Sequence, residues 1–171
     1  METVSYSKIY KHKNGKYQRR KKQFFTDNKN HTQLIELYNQ FNYFAKDNGM
    51  TLEIKEVGHA ISEMKVLEKH QSAPNHCHGG VISGLMDATL GGSALSYAFA
   101  QGKLCATVEF KINYFLPVKL HDELIAEANL EHTGNRLVHT ICEIKNKQTG
   151  KVVAKGIGTF NLYPMNKQTF E

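Results

Sequence analysis

The chain has 171 residues, 40% of them hydrophobic and 22% charged, which suits one globular domain with a real core and is too short for two. Its net charge of +6 is local: residues 1–30 hold nine Lys or Arg against Glu2 and Asp27, leaving thirteen bases and fourteen acids for the rest. Three widely spaced cysteines, Cys77, Cys105 and Cys142, with no Cys-x-x-Cys pair, argue against a disulfide framework and a zinc ribbon, so buried free thiols are expected.

In chain order, the basic segment comes first. Around Asn14-Gly15 it alternates Tyr with Lys and Arg, as a small hairpin or frayed extension would. Such a cluster can hold phosphates, but thirty residues without a two-helix pattern are too few for a helix-turn-helix. A solvated tail is expected, with no nucleic-acid or membrane contact. No apolar leader is visible, so a cytoplasmic location is expected. Residues 31–46 then place Leu34, Leu37, Tyr38, Phe41 and Phe44 three and four apart, which predicts one amphipathic helix. Asp47-Asn48-Gly49 stops it.

Two strand-like runs follow at 50–57 and 60–67, turning at Gly58-His59. Four more lie at 104–117, 123–132, 137–146 and 151–164, with turn residues at 133–135 and 148–150. In the first of these four, Val108, Phe110, Ile112 and Tyr114 alternate with Thr107, Glu109, Lys111 and Asn113, so one face is predicted to be buried. The last three strands read as a meander.

Between the two sets of strands, Gly79 to Gly102 is a run of 24 residues with one formal charge, Asp87. Its apolar residues surround the helical wheel, as in a buried helix, and its glycines and four Ser or Thr make it a poor membrane span. Gly84, Gly91, Gly92 and Ala94 would allow close approach of neighbours. An ionised carboxylate in such a helix is costly unless it is paired, so Asp87 is either a satisfied structural group or a working one. No basic residue lies among its helical neighbours, which favours work.

His76-x-His78 has the spacing of a metal pair, but no third ligand follows at a usable distance, and no metal is expected. The pattern of a zinc deaminase is also missing. Gly79 and Gly80 instead predict a helix start, where free N–H groups and the positive dipole end favour an oxyanion, and where glycine lets a carbonyl come close.

A helix, two strands, His78-Gly79-Gly80 opening a long helix, Leu85-Met86-Asp87-Ala88 within it and four further strands resemble the hotdog-fold acyl-CoA thioesterases of the PaaI type. The resemblance spans roughly residues 31–163. It implies an α+β hotdog fold in which a long central helix is wrapped by a curved antiparallel sheet and preceded by an N-terminal helix. Residues 1–30 are then a basic extension and 31–171 the hotdog domain. It also implies hydrolysis of an acyl-CoA thioester, with Gly79 as the backbone oxyanion donor and Asp87 as base or nucleophile. Asn75, His78, Gly80 and Thr107 are implied as substrate contacts. Coenzyme A enters only within the substrate, and no cofactor is implied. The family's Asn-x-x-Gly-x-x-His is here Ser72-Ala73-Pro74-Asn75-His76-Cys77-His78, so Asn75 or Gln71 is the candidate to orient water.

Helix geometry adds a separate expectation. Gly79 and Asp87 lie eight residues apart, roughly 12 Å along one helix at about 1.5 Å per residue, too far for one thioester carbon to touch both. Antiparallel helices from two subunits would bring Gly79 of one beside Asp87 of the other, so a homodimer, or a homotetramer built from dimers, is expected. The rival reading on the same fold is a non-catalytic acyl-CoA sensor. A hydratase would want an Asp-x-Asn-Pro-x-His run, which the chain lacks.

Overall fold

The computed structural model of the protein describes residues 8–11, 17–20 and 28–165. Strands β1 (Lys8–Lys11) and β2 (Tyr17–Arg20) pair antiparallel in the basic segment, as a hairpin would. The predicted first helix is two: α1 (Asn28–Phe41) and α2 (Tyr43–Asp47). They part at Asn42, whose Oδ1 accepts the Ala45 N–H at 3.1 Å and so caps α2 rather than continuing α1. The break changes which side chains are buried. Ile35 packs with Leu95 and Phe99, while Phe41 and Phe44, expected on the buried face, are 53% and 54% exposed.

Strands β3 (Glu53–Glu56) and β4 (His59–Lys65) form the second hairpin. Its turn is Val57-Gly58, one residue before the predicted one, with Gly58 at φ 91°. A 3₁₀ turn (Glu68–His70) leads to the short pair β5 (Gln71–Ala73) and β6 (His76–Cys77). Next come α3 (Gly79–Phe99), β7 (Lys103–Tyr114), β8 (Glu123–Thr133), β9 (Leu137–Asn146) and β10 (Val152–Pro164).

Six strands make one antiparallel sheet in the order β3-β4-β8-β9-β10-β7, wrapped around α3. This is the expected hotdog arrangement. Period-two alternation places Val138, Thr140, Cys142 and Ile144 of β9 inward, against a helix whose Leu85, Met86, Leu90, Ala94 and Ala98 are fully buried. Each such leucine contributes about 1.5–3 kcal/mol through burial. The small residues admit the sheet and the N-terminal helices: a Cβ at Gly92 would lie 2.6 Å from Leu52, and one at Gly84 would lie 2.6 Å from the Phe44 ring. Among the described residues no helix is long and apolar enough to cross a membrane.

Alternation fails at one place that matters for the site. Thr159 of β10 pairs Glu109, but Phe160 pairs Thr107, so Val108 is the extra residue of a β-bulge. Val108, expected in the core, is 58% exposed. The bulge reverses the parity and puts Thr107 on the helix-facing side with Phe110, where it stays exposed.

Candidate active site

The start of α3 is held from several directions. The Cys77 N–H donates to the Val118 carbonyl at 2.9 Å and the His78 N–H to the carbonyl of buried His70 at 2.8 Å. His78 is the N-cap: its backbone is extended, and its Nδ1 accepts the Gly80 N–H at 2.8 Å. Its carbonyl accepts the Val81 N–H at 3.0 Å. The Gly79 N–H has no acceptor among the described residues. It is a donor at the positive end of a 21-residue helix, beside a glycine that leaves room for an incoming group.

Asn75 sits at the tip of the β5–β6 turn with φ 62°, a conformation Asn tolerates. Its N–H donates to Gln71 Oε1 at 2.7 Å, and the Gln71 amide reaches the Glu68 carbonyl at 3.4 Å, so both groups are engaged in shaping the turn. His76 Nδ1 lies 2.9 Å from the Pro74 carbonyl while His78 caps the helix. The described residues bring together no set of three His, Cys, Asp or Glu that could hold a metal.

Asp87 lies on the flank of α3, half-buried rather than sealed in the core. The Thr107 hydroxyl donates to its Oδ1 at 3.1 Å, a contact that exists because of the bulge at Val108. Asp87 forms no ion pair among the described residues. Burial lifts its pKa above the usual carboxylate value, and the Thr107 hydrogen bond partly offsets this by favouring the charged form. A carboxylate so placed is a better proton acceptor than one in water.

Two neighbours of Asp87 stay protonated. Burial first, and the Asp87 charge second, push the Cys105 thiol up to about 12. Burial raises the phenol of Tyr38, followed by Cys105 and Asp87. Cys77 and Cys142, pushed up by burial to about 11 and about 12, are equally inert as thiolates. Sequence reasoning assigned Tyr38 only an apolar role, because nothing local signals that α1 carries it toward Asp87.

An open groove of about 320 Å³ runs past the helix start, lined by Gly79, Ile82 and the apolar stretch Tyr114 to Val118. Asp87 of the same chain is not part of it.

Residues 74–153 match the family model described as Thioesterase superfamily. A putative esterase of Archaeoglobus fulgidus is 32% identical to this chain over 84% of its residues and 92% of the relative's. The chain belongs to the thioesterase superfamily. Human acyl-coenzyme A thioesterase 13 is 34% identical, over 66% of this chain and 79% of that protein. Among solved structures, the Escherichia coli PaaI protein from the phenylacetic acid degradation operon superposes with a TM-score of 0.72. It is 24% identical, with 79% of this chain and 94% of that one covered. A conserved protein of Pseudomonas aeruginosa gives a TM-score of 0.66 at 27% identity, over 74% and 98% of the two chains. As a member of the thioesterase superfamily the chain is a thioester hydrolase, and its helix start and Asp87 are the groups to weigh for that chemistry.

Proposed function

We propose that this thioesterase-superfamily chain hydrolyses an acyl-CoA thioester to the free acid and coenzyme A, with Asp87 supplying the electron pair and the Gly79 N–H stabilising the oxyanion. The observation that carries the reading is the half-buried Asp87, held by Thr107 and without an ion pair among the described residues, on the same helix whose Gly79 N–H has no acceptor among them. The Asp87 carboxylate takes a proton from water as the water oxygen attacks the thioester carbon, or attacks that carbon itself to give an anhydride that water opens. By either route the net change is one C–O bond formed from water and the C–S bond broken, the anhydride route also making and then breaking a C–O bond at the Asp87 carboxylate, and the coenzyme A sulfur leaves and takes up a proton. The carbonyl oxygen gains charge during the attack, and the Gly79 N–H and the α3 dipole favour that charge. Coenzyme A enters as part of the substrate, and the scheme calls for no metal or redox cofactor.

The active unit is at least a homodimer in this reading. The groove at Gly79 does not reach Asp87 of its own chain, and the helix rise separates the two by roughly 12 Å. Edge strand β7 leaves one side unpaired and exposes Val108 and Tyr114, continued by Phe115 and Leu116, an apolar edge that a second copy would cover. Asn75, His78 and Gly80 then frame the substrate at one end and Thr107 at the other.

A panel of acyl-CoA esters assayed for thiol release tests the proposal and identifies the acyl group. Tight binding of an ester without thiol release would favour an acyl-CoA sensor instead. Thr107→Val removes the hydrogen bond that favours ionised Asp87, so the acid limb of the pH–rate profile should move to higher pH. Turnover at neutral pH should fall by about tenfold.

Residues 31–171 are proposed to be sufficient for the chemistry, with the basic extension outside it. Deleting residues 1–27 keeps α1 whole and should leave turnover and oligomeric state unchanged, as read by thiol release and light scattering.

A further inference from the structure

We propose that the hydroxyls of Tyr114 and Ser83 form a brace that fixes the aim of the Gly79 N–H, which makes both of them positioning residues; the inference rests on the role proposed for Gly79. Both hydroxyls lie within hydrogen-bond reach of the Gly79 carbonyl, Tyr114 Oη at 3.1 Å and Ser83 Oγ at 3.0 Å. The two hydroxyls are 2.5 Å from each other. Two hydroxyl protons serve these three contacts. One hydroxyl therefore donates to the carbonyl while the other donates to that hydroxyl, and either assignment holds the carbonyl.

The same peptide group is held at its far end, where the Gly80 N–H donates to His78 Nδ1 at 2.8 Å. The Gly79–Gly80 peptide plane is thus pinned at oxygen and at nitrogen. Two consecutive glycines have the greatest backbone freedom available to a chain. The Gly79 N–H belongs to the preceding His78–Gly79 peptide, whose carbonyl accepts the Val81 N–H at 3.0 Å, so with the following peptide pinned as well Gly79 is kept from rotating and re-aiming that N–H, which has no acceptor among the described residues. A donor works on an oxyanion only if it is aimed beforehand, and a misplacement of about 1 Å in a reacting array can lower a rate by about a hundredfold.

The geometry favours positioning over simple stability. Tyr114 stands at the end of edge strand β7, its ring against Gly79, where a Cβ would meet it at 3.7 Å. In the single chain Tyr114 is 48% exposed and Ser83 is half-buried, so neither hydroxyl is sealed in the core. Tyr114 also shares the groove wall with Gly79, which places the brace beside the proposed substrate path.

The test compares Tyr114→Phe, Ser83→Ala and the double variant in thiol release, thermal unfolding and amide exchange at Gly79 and Gly80. Because either hydroxyl alone still holds the carbonyl, each single variant should lower kcat by about threefold and the pair by about thirtyfold, more than the product of the two. KM and Tm should be unchanged, Ser83→Thr should keep the wild-type kcat, and the Gly79 and Gly80 amides should exchange faster in the double variant. A double variant with wild-type kcat and wild-type exchange overturns the brace. If the double variant does not fold, Tyr114→Phe decides alone: lower kcat at unchanged KM supports the brace, and unchanged kcat overturns it. Asp87→Asn assayed alongside keeps the two readings apart. An active Asp87→Asn protein defeats the proposed mechanism whatever the brace does, whereas an inactive one beside a wild-type-like double variant defeats only the brace.

Discussion

Replacing Asp87 by Asn should lower turnover by about a hundredfold or more while substrate still binds, because the amide keeps the shape and removes the proton-accepting charge. Stability should move the other way. Burial raises the Asp87 pKa, so in the folded state the carboxyl holds its proton more readily than in the unfolded chain, where its ordinary value is 3.8. Between 3.8 and the raised folded value, stability therefore grows as pH falls, and above that window the ionised group weighs against the fold. At neutral pH a neutral amide relieves that burden, so thermal unfolding of Asp87→Asn should occur at the same or a slightly higher temperature. A structural Asp87 predicts the opposite pair of results, with lower stability and unchanged turnover per folded molecule.

Mixing two inactive variants should restore activity. Gly79→Pro removes the N–H and spares the helix, because proline suits the first helical position, and His78 before it has φ −67° and ψ 132°, as a residue preceding proline requires. Alone it should lose about a hundredfold or more in kcat, the usual effect of deleting an oxyanion donor. When Gly79→Pro and Asp87→Asn subunits are mixed equally and pair at random, half of the dimers are hybrids. Each hybrid has one site with both native groups, so about a quarter of wild-type activity should return. Activity that stays at the level of the separate variants would show that each chain completes its own site.

The parts of this site that could be read from the sequence rest on periodic patterns. An apolar run with a single charge reads as a buried helix, and the paired glycines after His78 read as its start, so the position of α3 was legible. Events one residue long were not. The break at Asn42 depends on one side-chain cap, and the burial of α1 and α2 depends on that break. The bulge at Val108 depends on the register against β10, yet it decides whether Thr107 meets Asp87 or faces away. Ser83 and Tyr114 are 31 residues apart, and neither differs from its neighbours until the sheet closes on the helix. The competition for glycine N–H groups was also hidden, because only the fold shows His78 occupying that of Gly80 and leaving that of Gly79.

Thiol release from a saturating acyl-CoA ester, measured per folded molecule on wild-type and Asp87→Asn preparations whose unfolding is recorded in parallel, tests the central claim most directly. The account predicts rapid release by the wild type and a loss of about a hundredfold or more in a variant that folds at least as well. An Asp87→Asn protein that is stable and releases thiol at the wild-type rate would contradict it.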